Sequence, residues 1–169
     1  RQTEIAAFIA ALLSFGQRQQ FLKKIDFILS LAGKDFYNWI KSGKWQTDFP
    51  SGEKKFYRFY SYNDIREVFS TMQNILHEYE SFGSAVKTEY YSLMKEEKTE
   101  ENRAILLATT VSNLFKNCKI VPHGKQCANK RLHMYFRWMV RKNSPVDLGI
   151  WSWFEPKDLL IPLDTHVLQ

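Results

Sequence analysis

A chain of 169 residues that is 44% hydrophobic and 25% charged can bury one sizeable core, and its composition argues against disorder. Its net charge of +6 turns the search for a partner toward anions: nucleic acid first, then an acidic protein or a phospholipid surface. No apolar run approaches the roughly 20 residues that span a bilayer, so a cytoplasmic, monomeric protein without a membrane partner is expected.

Taken in chain order, Ile5, Phe8, Ile9, Leu12 and Leu13 recur at helical spacing behind Thr3, a candidate N-cap, and Gly16 ends this first helix. Phe21, Ile25, Ile28, Leu29 and Leu31 predict a second helix running to Gly33, and Phe36, Trp39 and Ile40 a short third one. Between Ser42 and Tyr62 the aromatics are scattered among Gly43, Pro50, Ser51 and Gly52, which reads as a loop with little regular structure. A lobe boundary is expected near 43–62, within a single helical domain covering 1–169. Asn63 is the candidate cap of a helix carrying Ile65, Val68, Phe69, Met72, Ile75 and Leu76. The Ser81 to Ser84 stretch separates it from a helix near Val86 to Met94, and a charged turn from Lys95 to Asn102 leads into a helix from Ala104 to Phe115. Strands are not needed to account for this pattern, so the expected fold class is all-α.

Pro122, His123 and Gly124 make the segment from Cys118 to Asn129 a loop or hairpin. Its two cysteines, Cys118 and Cys127, have no CxxC spacing and no second pair, so neither a tetrahedral zinc site nor any other metal site is expected. They can pair as a disulfide or remain as buried thiols, the state that suits a reducing compartment. Asn129 should then cap a helix from Lys130 to Lys142 whose wheel places Leu132, Tyr135, Phe136, Met139 and Val140 on one face and Lys130, Arg137 and Arg141 on the other. Beyond Pro145 and Gly149, the aromatics Trp151, Trp153 and Phe154 can pack a long loop onto the core. Pro162 favours extended structure at Ile161 to Leu163 and leaves Asp164 to cap the helix that follows. Residue 1 is not methionine and the chain stops just past that aspartate, so a piece of a longer protein is expected.

Charge is unevenly spread. Nine Lys or Arg residues lie from Arg103 to Lys142, and no Asp or Glu occurs between Glu101 and Asp147. Such a stretch is the footprint of an anion-binding face, or else a solvated basic surface.

A helix opening with Lys130, preceded by a turn containing Gly124 and followed about thirty residues later by Leu163-Asp164-Thr165-His166-Val167, resembles the helix-hairpin-helix DNA glycosylase superfamily. The run Lys130 to Arg137 looks like the lysine helix of the branch that processes 8-oxoguanine. Closer still, Phe136 to Lys142, Asp147 to Trp151, Ile161 to Val167 and the opening Glu4 to Leu13 look like an uncharacterised bacterial family related to that superfamily. The hairpin here supplies one glycine where the superfamily normally carries two, and two cysteines cannot build the four-cysteine iron-sulfur loop of some members.

The resemblance implies an N-glycosylase of DNA base-excision repair, without a cofactor, that acts on a flipped base of a damaged duplex. Lys130 would be the nucleophile that forms a Schiff base with the sugar and permits strand cleavage, and Asp164 the carboxylate that stabilises developing positive charge. His123, Gly124, Lys125, Arg131, Arg137, Arg141 and His166 would meet the DNA, and Gln17 and Arg18 would approach the opened duplex from the loop after the first helix. Two alternatives stand beside this reading: a non-catalytic binder of DNA or structured RNA, and a helical protein-interaction module.

Overall fold

In a computed structural model that describes residues 1–96, 102–123 and 128–161, the chain is mostly helical. The helices are α1 (Gln2–Leu13), α2 (Arg18–Ala32), α3 (Phe36–Lys41), α4 (Trp45–Asp48), α5 (Tyr62–Glu78), α6 (Phe82–Glu96), α7 (Arg103–Leu114) and α8 (Lys130–Val140). A small antiparallel hairpin, β1 (Lys55–Tyr57) and β2 (Tyr60–Ser61), interrupts the series, and a single 3₁₀ turn spans Pro156–Asp158. No helix among the described residues is long and apolar enough to cross a membrane.

The first helix is the axle. Its sequence is apolar nearly all round, and a helix with that pattern must be covered on every side. Accordingly α1 touches α2, α3, α6 and α8. Ile5, Phe8, Leu12 and Leu13 are buried along it, and the Phe8 ring meets Phe82, Phe115 and Tyr135 at centroid distances of 4.8, 5.0 and 5.3 Å. A second aromatic group gathers under the hairpin, where Phe49 meets Phe69 at 5.2 Å and Phe56 at 5.4 Å. Both groups belong to one continuous apolar core.

The hairpin corrects the expectation that 42–62 lacks regular structure. Lys55 pairs with Ser61 and Tyr57 with Tyr60 across the two-residue turn Arg58-Phe59, with Arg58 at a φ of 51°. Strands of three and two residues are too short for period-two alternation to show in sequence. The cap of α5 also moves: Ser61 Oγ accepts from Asp64 N at 3.2 Å, while the Asp64 carboxylate accepts from Ser61 N at 2.6 Å, a reciprocal capping box. Asn63 instead binds the preceding loop, accepting from Gly52 N at 2.8 Å. Thr3 lies inside α1 rather than at its cap, α6 starts at Phe82 behind Ser81, and α8 ends at Val140.

Beyond α8 the chain turns back and satisfies the helix's last carbonyls, with Leu148 N donating to Trp138 O and Trp151 N to Met139 O, both at 2.7 Å. This return buries Trp151 and Phe154. The Trp151 indole donates to Glu4 Oε1 at 2.8 Å, tying the returning loop to the start of α1. Only a glycine fits beside that bond: a Cβ on Gly83 would collide with Glu4 Oε1 and lie 2.6 Å from Trp151 Nε1. Gly83→Ala should therefore lower stability by roughly 1–3 kcal/mol, the usual cost of overpacking. Urea unfolding checks this, and an unchanged midpoint would show that the contact yields freely.

Candidate functional site

Where α1 ends, Ser14, Phe15 and Gly16 form one wall of a cleft of about 510 Å³, Phe59 and Tyr60 of the hairpin form the second, and Lys130, Arg131 and Met134 at the start of α8 form the third. Gly16, at a φ of 79°, lets the hairpin approach, since a Cβ there would lie 2.8 Å from Arg58 Nη1 and 2.9 Å from the Tyr57 hydroxyl. That hydroxyl donates to the Phe15 carbonyl.

Arg131 holds the three walls together. Its Nη1 donates to the Leu12 carbonyl at 2.6 Å, its Nη2 to the Tyr60 hydroxyl at 3.3 Å, and its guanidinium lies 5.1 Å from the centre of the Phe15 ring. A cation at a helix C-terminus meets both an unsatisfied carbonyl and the negative end of the helix dipole. Cation–π attraction to Phe15 adds to this. Arg131 is thus engaged inside the protein.

Lys130, by contrast, is exposed at the first position of α8, and no described side chain pairs with it. Asn129 precedes it in a left-handed conformation at φ 46° and ψ 30°, and its side chain makes no capping bond to α8, contrary to the expected cap. Tyr60 is buried, whereas Phe59 is 53% exposed at the hairpin turn. The cleft therefore combines an exposed amine, exposed ring surface and a backbone corner.

The other expected site residues are dispersed. Gln17 and Arg18 begin α2 just beyond Gly16, both exposed, with Gln17 Oε1 accepting from Gln20 Nε2 at 2.8 Å. Arg137 and Arg141 share one carboxylate: Asp147 Oδ1 lies 3.3 Å from Arg137 Nε and Oδ2 lies 3.5 Å from Arg141 Nε, with the Asp147 side chain fully enclosed. Arg103 likewise pairs with Asp158 at 2.9 Å. His123 holds its Nε2 3.1 Å from the Cys118 carbonyl. Gly124, Lys125, Asp164 and His166 lie outside the described residues. Tyr60, Phe15 and Phe59 were not among the expected site residues, although the string Tyr57-Arg58-Phe59-Tyr60, a cation among aromatics, carries a readable signal.

Among the described residues no three His, Cys, Asp or Glu side chains converge into a metal-ligand set. Cys118 is buried as a free thiol within 3.2 Å of the Thr71 hydroxyl, and burial pushes its pKa up to about 11. A thiol held protonated in this way is a poor nucleophile at neutral pH. Burial also lowers the pKa of His133, which packs edge-on against Phe136 in the core side of α8.

An α-helical protein with a cationic, aromatic-lined cleft at the junction of α1, the hairpin and α8 is the class that these features define. The chain belongs to the family described as "Protein of unknown function (DUF2400)", whose family model matches residues 1–169. No curated protein and no solved structure matches it significantly.

Two outcomes follow for the cleft's supports. Arg131→Gln removes charge-assisted bonds to Leu12 and Tyr60 and should cost roughly 1.5–3 kcal/mol in urea unfolding; a change within error would mean that water replaces the guanidinium without loss. The unfolded imidazole of His133 titrates near 6.5, while the folded one is held neutral to lower pH. Its contribution is therefore complete above about 6.5 and is lost as pH falls toward the folded pKa. The melting temperature should drop over that window less steeply in His133→Leu than in the wild type, and parallel profiles would refute the assignment.

Proposed function

We propose that the chain is a DNA N-glycosylase with abasic-site lyase activity, in which Lys130 is the nucleophile. The observation that carries this reading is the position of Lys130: an exposed amine, paired with no described side chain, on the rim of a cleft that also offers exposed ring surface from Phe59 and the corner after α1. The likeness of the Lys130 and Asp164 motifs to helix-hairpin-helix glycosylases supports the same assignment.

The chemistry is as follows. With the target nucleotide extruded from the stack, the deprotonated Lys130 Nζ bonds to the sugar C1′ while the C1′–N bond breaks. The base leaves with that electron pair and takes up a proton. The sugar ring then opens, its oxygen gaining a proton as the C1′–N bond to lysine becomes an iminium. Loss of a C2′ proton expels the 3′ phosphate and cuts the strand. Asp164 would accept the lysine proton and stabilise positive charge at the sugar. Arg131, acting through its bonds to Leu12 and Tyr60, positions the start of α8 against the cleft rather than reacting itself.

Borohydride trapping tests the proposal. Reduction in the presence of an abasic-site duplex should link wild-type protein covalently to DNA, and Lys130→Ala should abolish the link while weakening binding only modestly, because an exposed lysine contributes at most about one phosphate contact. Wild-type protein that binds the duplex tightly yet never cross-links would refute the lyase and leave a non-catalytic binder. Absence of salt-dependent DNA binding would refute both.

A further inference from the structure

On the far side of the hairpin from the Lys130 cleft lies a second groove, of about 600 Å³, between α2 and β1. Lys23 and Lys24 of α2 line one side, Lys55 and Arg58 of the hairpin line the other, and Phe27, 37% exposed, adds ring surface. No carboxylate lines it, and none of these four cations forms an ion pair among the described residues. In the acid-free stretch of the sequence, by comparison, Arg103, Arg137 and Arg141 are paired with aspartates and Arg131 is bound to a carbonyl and a hydroxyl, while Lys116, Lys119 and Lys142 are exposed but line neither this groove nor the Lys130 cleft.

The groove's cations are also held in place. Lys24 Nζ sits 4.8 Å from the centre of the Phe56 ring, and Lys55 Nζ donates to the Phe59 carbonyl at 2.9 Å. Arg58, at the turn, reaches over the edge of the groove to lie 6.0 Å from the centre of Phe15, which lines the Lys130 cleft. Arg58 therefore joins the groove that Lys23 lines to the cleft that Lys130 lines, with exposed Phe59 next to it at the turn.

We infer that this groove binds the sugar-phosphate backbone of a single nucleic-acid strand, which passes over the hairpin turn into the Lys130 cleft with a base stacked on Phe59. Unpaired cations interleaved with aromatic rings are what such a strand requires: phosphates release counterions to the lysines, and any base can stack on a ring whatever its sequence. An anionic membrane would favour a flat basic face over a concave one between two elements. The inference rests on the nucleic-acid part of the proposed function and not on its lyase chemistry.

Fluorescence anisotropy with a labelled single-stranded oligonucleotide, titrated at several salt concentrations, tests it. Lys23→Ala and Arg58→Asn, the latter chosen because asparagine tolerates the left-handed φ, should each weaken binding and reduce the slope of log K against log salt by about 0.7. Lys87→Ala, which removes an exposed charge from α6, should change neither. Phe59→Ala should weaken binding with the slope unchanged, because stacking releases no counterions.

Wild-type binding that Lys23→Ala and Arg58→Asn leave intact would overturn the groove while sparing the nucleic-acid reading. Absence of single-strand binding by a wild type that still binds duplex would overturn the strand assignment alone, and absence of binding to either would overturn the nucleic-acid reading as well. Losses confined to phosphatidylserine vesicles or to a polyglutamate peptide would overturn the strand assignment. Melting temperatures of all variants within error of the wild type exclude unfolding as the cause.

Discussion

The geometry of the cleft depends on one guanidinium. Arg131 bonds to the carbonyl of Leu12, in the last turn of α1, and to the hydroxyl of Tyr60 in the hairpin, while its own backbone sits in the first turn of α8. Three elements far apart in sequence are thereby fixed at one point. A lysine could neutralise the helix dipole there but could not reach two acceptors with a planar fork while lying over the Phe15 ring. The residue next to it in sequence, Lys130, is consequently presented at the cleft by a rigid neighbour.

The opposite end of α1 is held by a different device. Glu4 is buried and accepts from the Trp151 indole, in space that Gly83 leaves open. At ~1.5 Å per residue Glu4 and Leu12 are about 12 Å apart, so the two anchors sit toward opposite ends of α1. Between them α1 is apolar on all sides and cannot rotate or slide without exposing Phe8 or Leu12. The loop that carries Trp151 is itself tied to α8 through Trp138 and Met139. One helix thus couples the returning chain at one end to the cleft at the other.

The longer helices were readable because each bears an apolar stripe, whereas the four residues of α4 were not, and the core face of α8 is occupied by Leu132, Tyr135, Phe136, Met139 and Val140, the residues that periodicity selects. What could not be read depends on short or long-range contacts. The hairpin has too few residues for alternation, and Asn63 has the right chemistry for a cap but Ser61 forms a reciprocal pair with Asp64 that holds the helix start two residues earlier. The cleft was legible in part: Lys130 and Arg131 stand on it, but Phe15, Phe59 and Tyr60 meet there only because a two-residue turn brings the hairpin against the end of α1.

Charge shows most clearly how sequence density and available charge differ. The stretch from Arg103 to Lys142 holds nine cations and no acid, yet Asp147 and Asp158, both beyond that stretch, return to pair with three of its arginines. An enclosed carboxylate such as Asp147 is stabilised only by such partners, so Arg137 and Arg141 are needed to fold the returning loop onto α8. The cations that no described carboxylate pairs around the hairpin come instead from short, separate segments, Lys23 with Lys24 and Lys55 with Arg58, whose acidic neighbours Asp26 and Glu53 dilute them in sequence. Folding brings those pairs to one groove and leaves Asp26 and Glu53 off its lining. An anion drawn by free charge would therefore approach along the hairpin and not along the exposed face of α8, and Lys130, beside the engaged Arg131, brings the basic stretch to the cleft where that approach ends.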